Sequence, residues 1–478
     1  MAEPGVAKPR PLDVRGGLAG ALAPFALFLA GVGWLGLQGA PDERGFWPML
    51  LAALALGLAL ARDRAAYAEA VLAGMSQPIV ALMILAWLLA GALSTVLGAS
   101  GLVESLVFLS RVGGLEGGSY VAAACCACGL VALATGTSFG TILVCAPLLY
   151  PAGGAVGADP AWLMGAILAG ATFGDSLSPI SDTTIASATT QGADIGGVVR
   201  ARLKYALPAA VLAVVVYAAL GGGGAVSGGA TGPAAGPRGL PMLLVPAVVV
   251  ALLLRGRHLF EGLMAGLAGA LALGLSLGLL TPSQILRVDP ERFGARGLIV
   301  EGLERGVGVS VFTLLLVGLV ETLQRSGALG RLVERARASA RSARGAELWI
   351  FATVSGAVLL TTHSVVAILA VGEFARETGE RFGLSCYRRA NLLDLTVCTY
   401  PFLLPYFLPT ILASGASVAG VASGLPRVSP LAIGLHNAYS WAVLAVVLAA
   451  IVTGYGRNET AADSSLGGAA PHPPDAPL

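Results

Sequence analysis

Apolar runs of about twenty residues recur along the chain, near 18–39, 45–61, 77–97, 204–221, 239–254, 259–280, 306–324 and 431–453. An α-helix rises about 1.5 Å per residue, so roughly 20 residues cross the ~30 Å hydrocarbon core of a bilayer. The pattern predicts an all-α polytopic membrane protein. Two further apolar stretches, 119–150 and 161–196, are interrupted by polar residues. The first breaks at Thr135-Gly136-Thr137-Ser138. The second breaks at Gly174-Asp175-Ser176-Leu177-Ser178-Pro179-Ile180-Ser181-Asp182-Thr183-Thr184. A carboxylate at membrane depth costs roughly 2.5–3.5 kcal/mol on insertion scales and is rarely accidental. Two of them, interleaved with hydroxyls and a helix-breaking proline, read as an ion site on unwound backbone.

The basic residues set a topology. Arg62 and Arg64 follow the second run, Arg200, Arg202 and Lys204 precede the run at 204, and Arg255 and Arg257 lie between the next two. The loop from Arg325 to Arg344 also holds Arg331, Arg335, Arg337 and Arg341 against Glu334. The positive-inside rule assigns these segments to the cytoplasm, and the neutral or mixed loops 40–44, 99–118, 222–238 and 281–304 to the outside. The chain must then pass from outside near 118 to inside at Arg200. The count closes if 119–150 is a re-entrant hairpin and 161–196 crosses once with a break at Gly174–Asp182. Re-entrant backbone at that depth requires a protein or water-lined setting.

A second unit repeats the pattern. Ser100-Gly101 matches Ser326-Gly327, and Thr135–Ser138 matches Thr361-Thr362-His363-Ser364, both at a shift of 226, while Pro179 matches Pro401 at a shift of 222. Because 99–118 is expected outside and 325–346 inside, the expected architecture is two inverted-topology repeats, each with a re-entrant hairpin and a broken transmembrane helix. The layout expected is a cytoplasmic N-terminus (1–17), leading spans (18–76), repeat 1 (77–221; hairpin 119–150, broken helix 161–196), linking spans (222–305), repeat 2 (306–453; hairpin 347–372, broken helix 384–413) and a disordered tail (454–478). Asp394 aligns with Thr172, about one turn before Asp175, so a third carboxylate falls near the same depth without repeating the first two.

Composition agrees with a membrane protein: 56% of the 478 residues are hydrophobic and 12% charged, against about 25% charged in soluble domains. The net charge of +2 decides little. Lys8, Arg10 and Arg15 precede an apolar run too long for a signal peptide, so the first span is expected to stay uncleaved. Cys125, Cys126 and Cys128 lie in an apolar stretch without histidine and read as small packing residues, not metal ligands. Asn458-Glu459-Thr460 has the form of a glycosylation site, but on the cytoplasmic side it carries no meaning.

At these motifs the chain resembles the NhaC-type sodium/proton antiporters, within the broader ion-transporter superfamily of paired hairpins and broken helices. The resemblance rests on Gly-Asp-x-x-Ser-Pro-x-Ser-Asp-Thr-Thr at 174–184 and on Thr135-Gly136-Thr137-Ser138-Phe139-Gly140-Thr141, and extends from about 75 to 450. In the second broken helix the family pattern Ser-Arg-x-x-Glu-Asp is met by Arg389-Ala390-Asn391-Leu392-Leu393-Asp394. The aspartate is kept, Ala390 and Leu393 replace the arginine and glutamate, and Pro401 and Pro405 are spaced one residue wider. The resemblance implies exchange of sodium (or lithium) for protons by alternating access.

The residues themselves point the same way. Sodium is a hard cation that takes oxygen ligands, as calcium and magnesium do, and a carboxylate in a low-dielectric site can hold a proton when no cation is present. Asp175 and Asp182 are the expected competing proton and sodium ligands, assisted by Ser178, Ser181, Thr183 and Thr184, with Asp394 as a second titrating group. The hairpin tips are Thr135, Thr137 and Ser138, and Thr361, Thr362, His363 and Ser364. The blander readings are helix capping for Asp175 and Asp182, a hydrogen-bonding tip for His363, an i,i+4 pair for Glu321 with Arg325 and interhelical hydrogen bonds for His436-Asn437. Among arginines, only Arg388 and Arg389 fall clearly within a span, at its cytoplasmic mouth. That favours a cation over the alternative, a sodium- or proton-coupled exchanger of a small organic anion (a dicarboxylate or hydroxyacid such as malate or lactate). An intramembrane aspartyl protease is the remote alternative. The chain is expected to be no enzyme and to hold no cofactor, with sodium and protons as cargo. Its expected partners are the lipid bilayer and a small inorganic cation, with a homodimer as one assembly and no nucleic acid. Its expected place is the cell (inner) membrane, both termini cytoplasmic.

Overall fold

The computed structural model describes residues 12–37, 43–223, 236–255, 257–290, 294–337 and 340–457. The first residues, the expected tail beyond Arg457 and the Asn458 motif lie outside them; residues 454–457, expected to begin that tail, instead form a turn after the last helix, closed by the Arg457 amide donating to the Gly454 carbonyl at 3.1 Å. The chain opens with α1 (Gly17–Leu37), α2 (Phe46–Leu60), α3 (Arg64–Met75) and α4 (Pro78–Ala99). Asp63 caps α3 by accepting from the Ala66 amide at 3.0 Å, and Pro78 opens α4, where a missing N–H costs nothing. Then follow α5 (Leu102–Val112), α6 (Gly117–Thr135), α7 (Ser138–Gly154), α8 (Pro160–Leu177), α9 (Asp182–Gln191) and α10 (Ile195–Leu220). The middle holds α11 (Leu244–Leu254), α12 (Leu259–Ser276), the short α13 (Pro282–Ile285) and an antiparallel pair, β1 (Arg287–Asp289) and β2 (Gly294–Arg296). The second half comprises α14 (Leu298–Arg325), α15 (Ala328–Arg337), α16 (Ala343–Thr361), α17 (Ser364–Arg381), α18 (Cys386–Val397), α19 (Leu408–Ala416), α20 (Pro430–Leu435) and α21 (Ala438–Thr453).

Among the described residues, eight helical segments are long and apolar enough to cross a membrane. The protein is an all-α polytopic membrane protein. The segment Pro160–Gln191 is 78% buried over its most apolar window, against 28% for α10 and α12, so the broken helix lies at the centre. α10 instead presents Leu203, Leu207, Val211 and Val215 on its surface, where hydrocarbon is the natural solvent.

Four expectations about element bounds change. The span expected at 204–221 begins at Ile195, because Asp194 caps it at the Gly197 amide (2.6 Å) and accepts a 2.5 Å hydrogen bond from Tyr387 Oη; Arg200, Arg202 and Lys204 therefore lie inside the helix. The span expected at 306–324 begins at Leu298 and takes in Glu301, Glu304 and Arg305. The loops 99–118 and 325–346 contain α5 and α15. The last span, expected unbroken, divides at His436–Asn437: Asn437 Nδ2 donates to the Phe402 carbonyl at 3.0 Å and the Ala438 amide donates to Tyr217 Oη at 2.9 Å. The interhelical role read for Asn437 is thus observed, and it accompanies a helix break. Glu321 pairs with Arg325 at 2.7 Å, as its spacing implies.

Candidate functional site

Two helix-to-helix turns and two helix breaks build the site. α6 ends at Gly136, whose φ of +68° puts it in the left-handed region that closes a helix without a Cβ penalty. Thr137 then caps α7, its Oγ1 accepting from the Gly140 amide at 3.3 Å. The second turn has the same form with a different residue. α16 ends at Thr362, which holds φ +52° and is the one non-glycine at positive φ among the described residues. His363 follows, and α17 starts at Ser364. Thr361 Oγ1 ties this turn by donating to the His363 carbonyl at 3.2 Å.

The first break separates α8 from α9 at residues 178–181. Pro179 has no N–H to continue the ladder, and Ser178 is extended. Asp175 sits in the last turn of α8, and Asp182 is the first residue of α9, at the positive end of that short helix. The second break runs from Cys398 to Phe407, with one tight turn at Tyr400–Phe402 around Pro401.

Both turns and both breaks border one cavity of about 600 Å³. Thr135, Thr137 and Ser138 line it from the first turn, and Thr362, His363 and Ser364 from the second. The breaks contribute Asp175, Asp182, Thr183 and Cys398. Asp175 Oδ1 is buried with no hydrogen-bond partner, as are Ser178 Oγ and His363 Nδ1. The turn and the break touch: a Cβ on Gly136 would fall 2.6 Å from Ile180 Cγ1. The glycine before Asp175 has a similar reason, since a Cβ on Gly174 would meet the Gly129 carbonyl oxygen of α6 at 2.2 Å. Ser178, Ser181, Thr184, Thr361 and Asp394 do not border the cavity. Ser181 and Thr183 share a 3.1 Å hydroxyl contact. A smaller cavity of about 50 Å³, lined by Ser94, Pro147, Arg305 and Leu412, shares Trp87 and Leu143 with the large one.

Asp394 is fully buried behind this cavity, and its partner is one the sequence did not suggest. Arg202 Nη1 of α10 forms an ion pair with Asp394 Oδ2, and both side chains have no exposure. The same nitrogen donates to the Ser176 carbonyl and, at 2.9 Å, to Thr184 Oγ1. Nε donates to Asn391 Oδ1 at 2.9 Å, and Thr184 Oγ1 donates to Asp394 Oδ2 at 3.2 Å. The expectation that arginine within a span is confined to Arg388 and Arg389 is therefore overturned. In Arg200-x-Arg202-x-Lys204 the middle arginine reads as one of a basic flank. Yet it lies on the helical stripe of Val198, Tyr205, Ala206, Ala209 and Ala213, all buried, and that spacing was a usable signal. Arg388 and Arg389 are buried too: Arg388 Nε meets Glu347 Oε1 at 2.8 Å, and Arg389 Nε donates to Gln191 Oε1 at 3.1 Å. Cys125 and Cys128 are buried, against the small face of α8 at Gly170.

With this geometry in view, residues 42–222 match the family described as the Na+/H+ antiporter family. The matched segment is less than half of the 478 residues. The family segment includes the first turn, the first break and Arg202, and it ends before the second half. The chain is 32% identical over 172 residues to the malate-2H+/Na+-lactate antiporter of Bacillus subtilis (strain 168), covering 35% of this chain and 36% of that protein. It is 36% identical over 94 residues to the Na+/H+ antiporter NhaC of Alkalihalophilus pseudofirmus, 20% of each chain. To the Na+/H+ antiporter NhaC of Bacillus subtilis it is 29% identical over 150 residues, 30% of this chain and 31% of that one. The chain thus spans about a third or less of the length of these relatives.

Proposed function

We propose that the chain is a secondary transporter of the cell membrane that exchanges sodium (or lithium) for protons by alternating access. The observation that carries this reading is Asp175: a carboxylate in the last turn of a broken, central helix, with a buried oxygen lacking a hydrogen-bond partner, on a cavity bordered by both helical turns. Such a group can bind a proton or a hard cation, and binding one excludes the other. Asp182 and Thr183 add oxygens on the same cavity wall. The unwound backbone of residues 178–181 supplies carbonyls at the break. Ser178 and Ser181 lie one step back and shape that backbone.

Asp394 takes a different part from Asp175 in this reading, because Arg202 already balances its charge. Trp87 and Leu143, which line both cavities, would serve in this reading as the partition between them. The two halves act as inverted repeats, with both termini cytoplasmic, which would let one set of elements open as its counterpart closes.

A second reading, exchange of a small organic anion, is favoured by the malate/lactate-exchanging relative and by the buried arginines. Against it, Arg202 donates inward to Asp394, Thr184, Ser176 and Asn391, away from the cavity.

Reconstitution separates the two. Proteoliposomes carrying an imposed pH gradient and a pH-sensitive dye should lose the gradient on addition of sodium or lithium. Asp175→Asn should abolish that response. Dissipation by malate or lactate but not by sodium would replace the first reading with the second.

A further inference from the structure

The three oxygens around Arg202 Nη1 are of three chemical kinds and come from three elements. The Ser176 carbonyl belongs to the last turn of α8, where carbonyls lose their intrahelical partners. The Thr184 hydroxyl comes from α9 and the Asp394 carboxylate from α18. A carbonyl, a hydroxyl and a carboxylate converging at a helix break are the donor set of a hard monovalent cation. Here a nitrogen of the chain stands at their centre. Its orientation is set from behind: Arg202 Nε donates to Asn391 Oδ1, and Asn391 Nδ2 donates to the Val198 carbonyl at 3.3 Å. Arg202 Nη2 is buried and has no partner, so the guanidinium is not chosen for a complete set of its own hydrogen bonds. Asp394 Oδ1 is 3.7 Å from Cys398 Sγ, and Cys398 borders the large cavity. One side chain therefore separates the cage from the space through which ions would arrive.

We propose that Ser176 O, Thr184 Oγ1 and Asp394 Oδ2 form a second monovalent-cation site, kept filled by the tethered guanidinium of Arg202. The built-in cation fixes α8, α9, α10 and α18 to one another whatever ions are present, and it leaves the Asp175 side of the cavity as the exchangeable site. Removing the guanidinium leaves a buried, uncompensated carboxylate, a strongly destabilising arrangement. An alkali cation of suitable size should then take its place. The inference concerns binding in the cage and stands whether or not Asp175 exchanges sodium for protons.

The test uses the purified full-length chain in detergent, melted in sodium, lithium, guanidinium or choline chloride at equal ionic strength. Arg202→Ala is placed in an Asp175→Asn background, so that any cation effect at Asp175 is absent. Asp175→Asn alone should show no shift between sodium and choline. Asp175→Asn/Arg202→Ala should melt lower in choline and recover by on the order of a few degrees in sodium, lithium or guanidinium, saturably. Adding Asp394→Asn should remove that dependence. A folded Arg202→Ala protein that melts alike in all four salts overturns the proposal. Should Arg202→Ala fail to fold in choline, purification in sodium or guanidinium decides: recovery there supports the filled site. Failure in every salt overturns it, whether Arg202→Ala/Asp394→Asn folds or not, since the oxygens then have no capacity for a free cation.

Discussion

Thr362 holds a left-handed conformation at the position where the first half of the molecule places Gly136, with φ of +52° and +68° respectively. A β-branched residue in that region carries strain of order 1–3 kcal/mol, and glycine carries almost none. Glycine gives some of this back through the entropy of the unfolded chain. Thr362→Gly should therefore stabilise the protein by about 1 kcal/mol, read as a higher midpoint in thermal unfolding; a lower midpoint would show that the threonine side chain is held by contacts worth more than the strain. The residue scale is also where the sequence was most informative about the first break and least informative about the second. Asp175 stands out because a carboxylate in an apolar helix beside a proline has few structural excuses. Asp394 looks equally isolated along its own helix, and its neutralising partner lies on α10, nearly two hundred residues away. No pattern local to either residue contains the other.

At the scale of elements, the contact between α6 and α8 is made by glycines. A Cβ on Gly170 would lie 2.2 Å from the Cys125 carbonyl oxygen, and one on Gly174 the same distance from that of Gly129. The four-residue spacing presents both to one face, the small-xxx-small arrangement by which membrane helices bring their backbones together. Backbone cannot yield as a flexible side chain can, so Gly174→Ala should cost about 1–3 kcal/mol or more and displace Asp175 from the cavity wall. Size-exclusion profiles and gradient-dissipation assays on the variant check both effects. Gly33→Ala serves as the control: nothing lies within 4 Å of its Cβ position, and an exposed helical alanine is expected to be neutral or stabilising by up to about 1 kcal/mol. The helices themselves were legible in outline because bilayer thickness sets their length. Their ends were not. Asp194 started α10 earlier than hydropathy suggested, and Asn437 broke the last span where composition showed an unbroken apolar run.

Across the whole molecule, the second half is fastened to the turn that follows α21. Glu347 of α16 has no exposure, yet it accepts from Arg388 Nε of α18 at 2.8 Å and from Arg457 Nη2, just beyond α21, at 2.6 Å. Arg388 also donates to Tyr205 Oη of α10 at 2.7 Å. Glu347→Gln leaves buried guanidinium without its counter-charge and should cost roughly 3–5 kcal/mol. Arg457→Ala should cost less, because Arg457 is 22% exposed and Glu347 keeps Arg388; a thermal ranking with Arg457→Ala as the more damaging change would contradict this order. Apolar run length, proline and glycine positions and the two-aspartate motif were enough for an all-α membrane protein, the first helix break and the candidate ion ligands around it. These follow from forces that act within one segment: transfer into hydrocarbon, helix termination and the cost of a lone charge. Packing alone selected which of those ligands share a cavity, which of the basic flank residues turns inward, and that Asp394 is held by Arg202. Those outcomes depend on the rotation and neighbours of whole helices, and the charge that balances a buried carboxylate can come from any helix that reaches it.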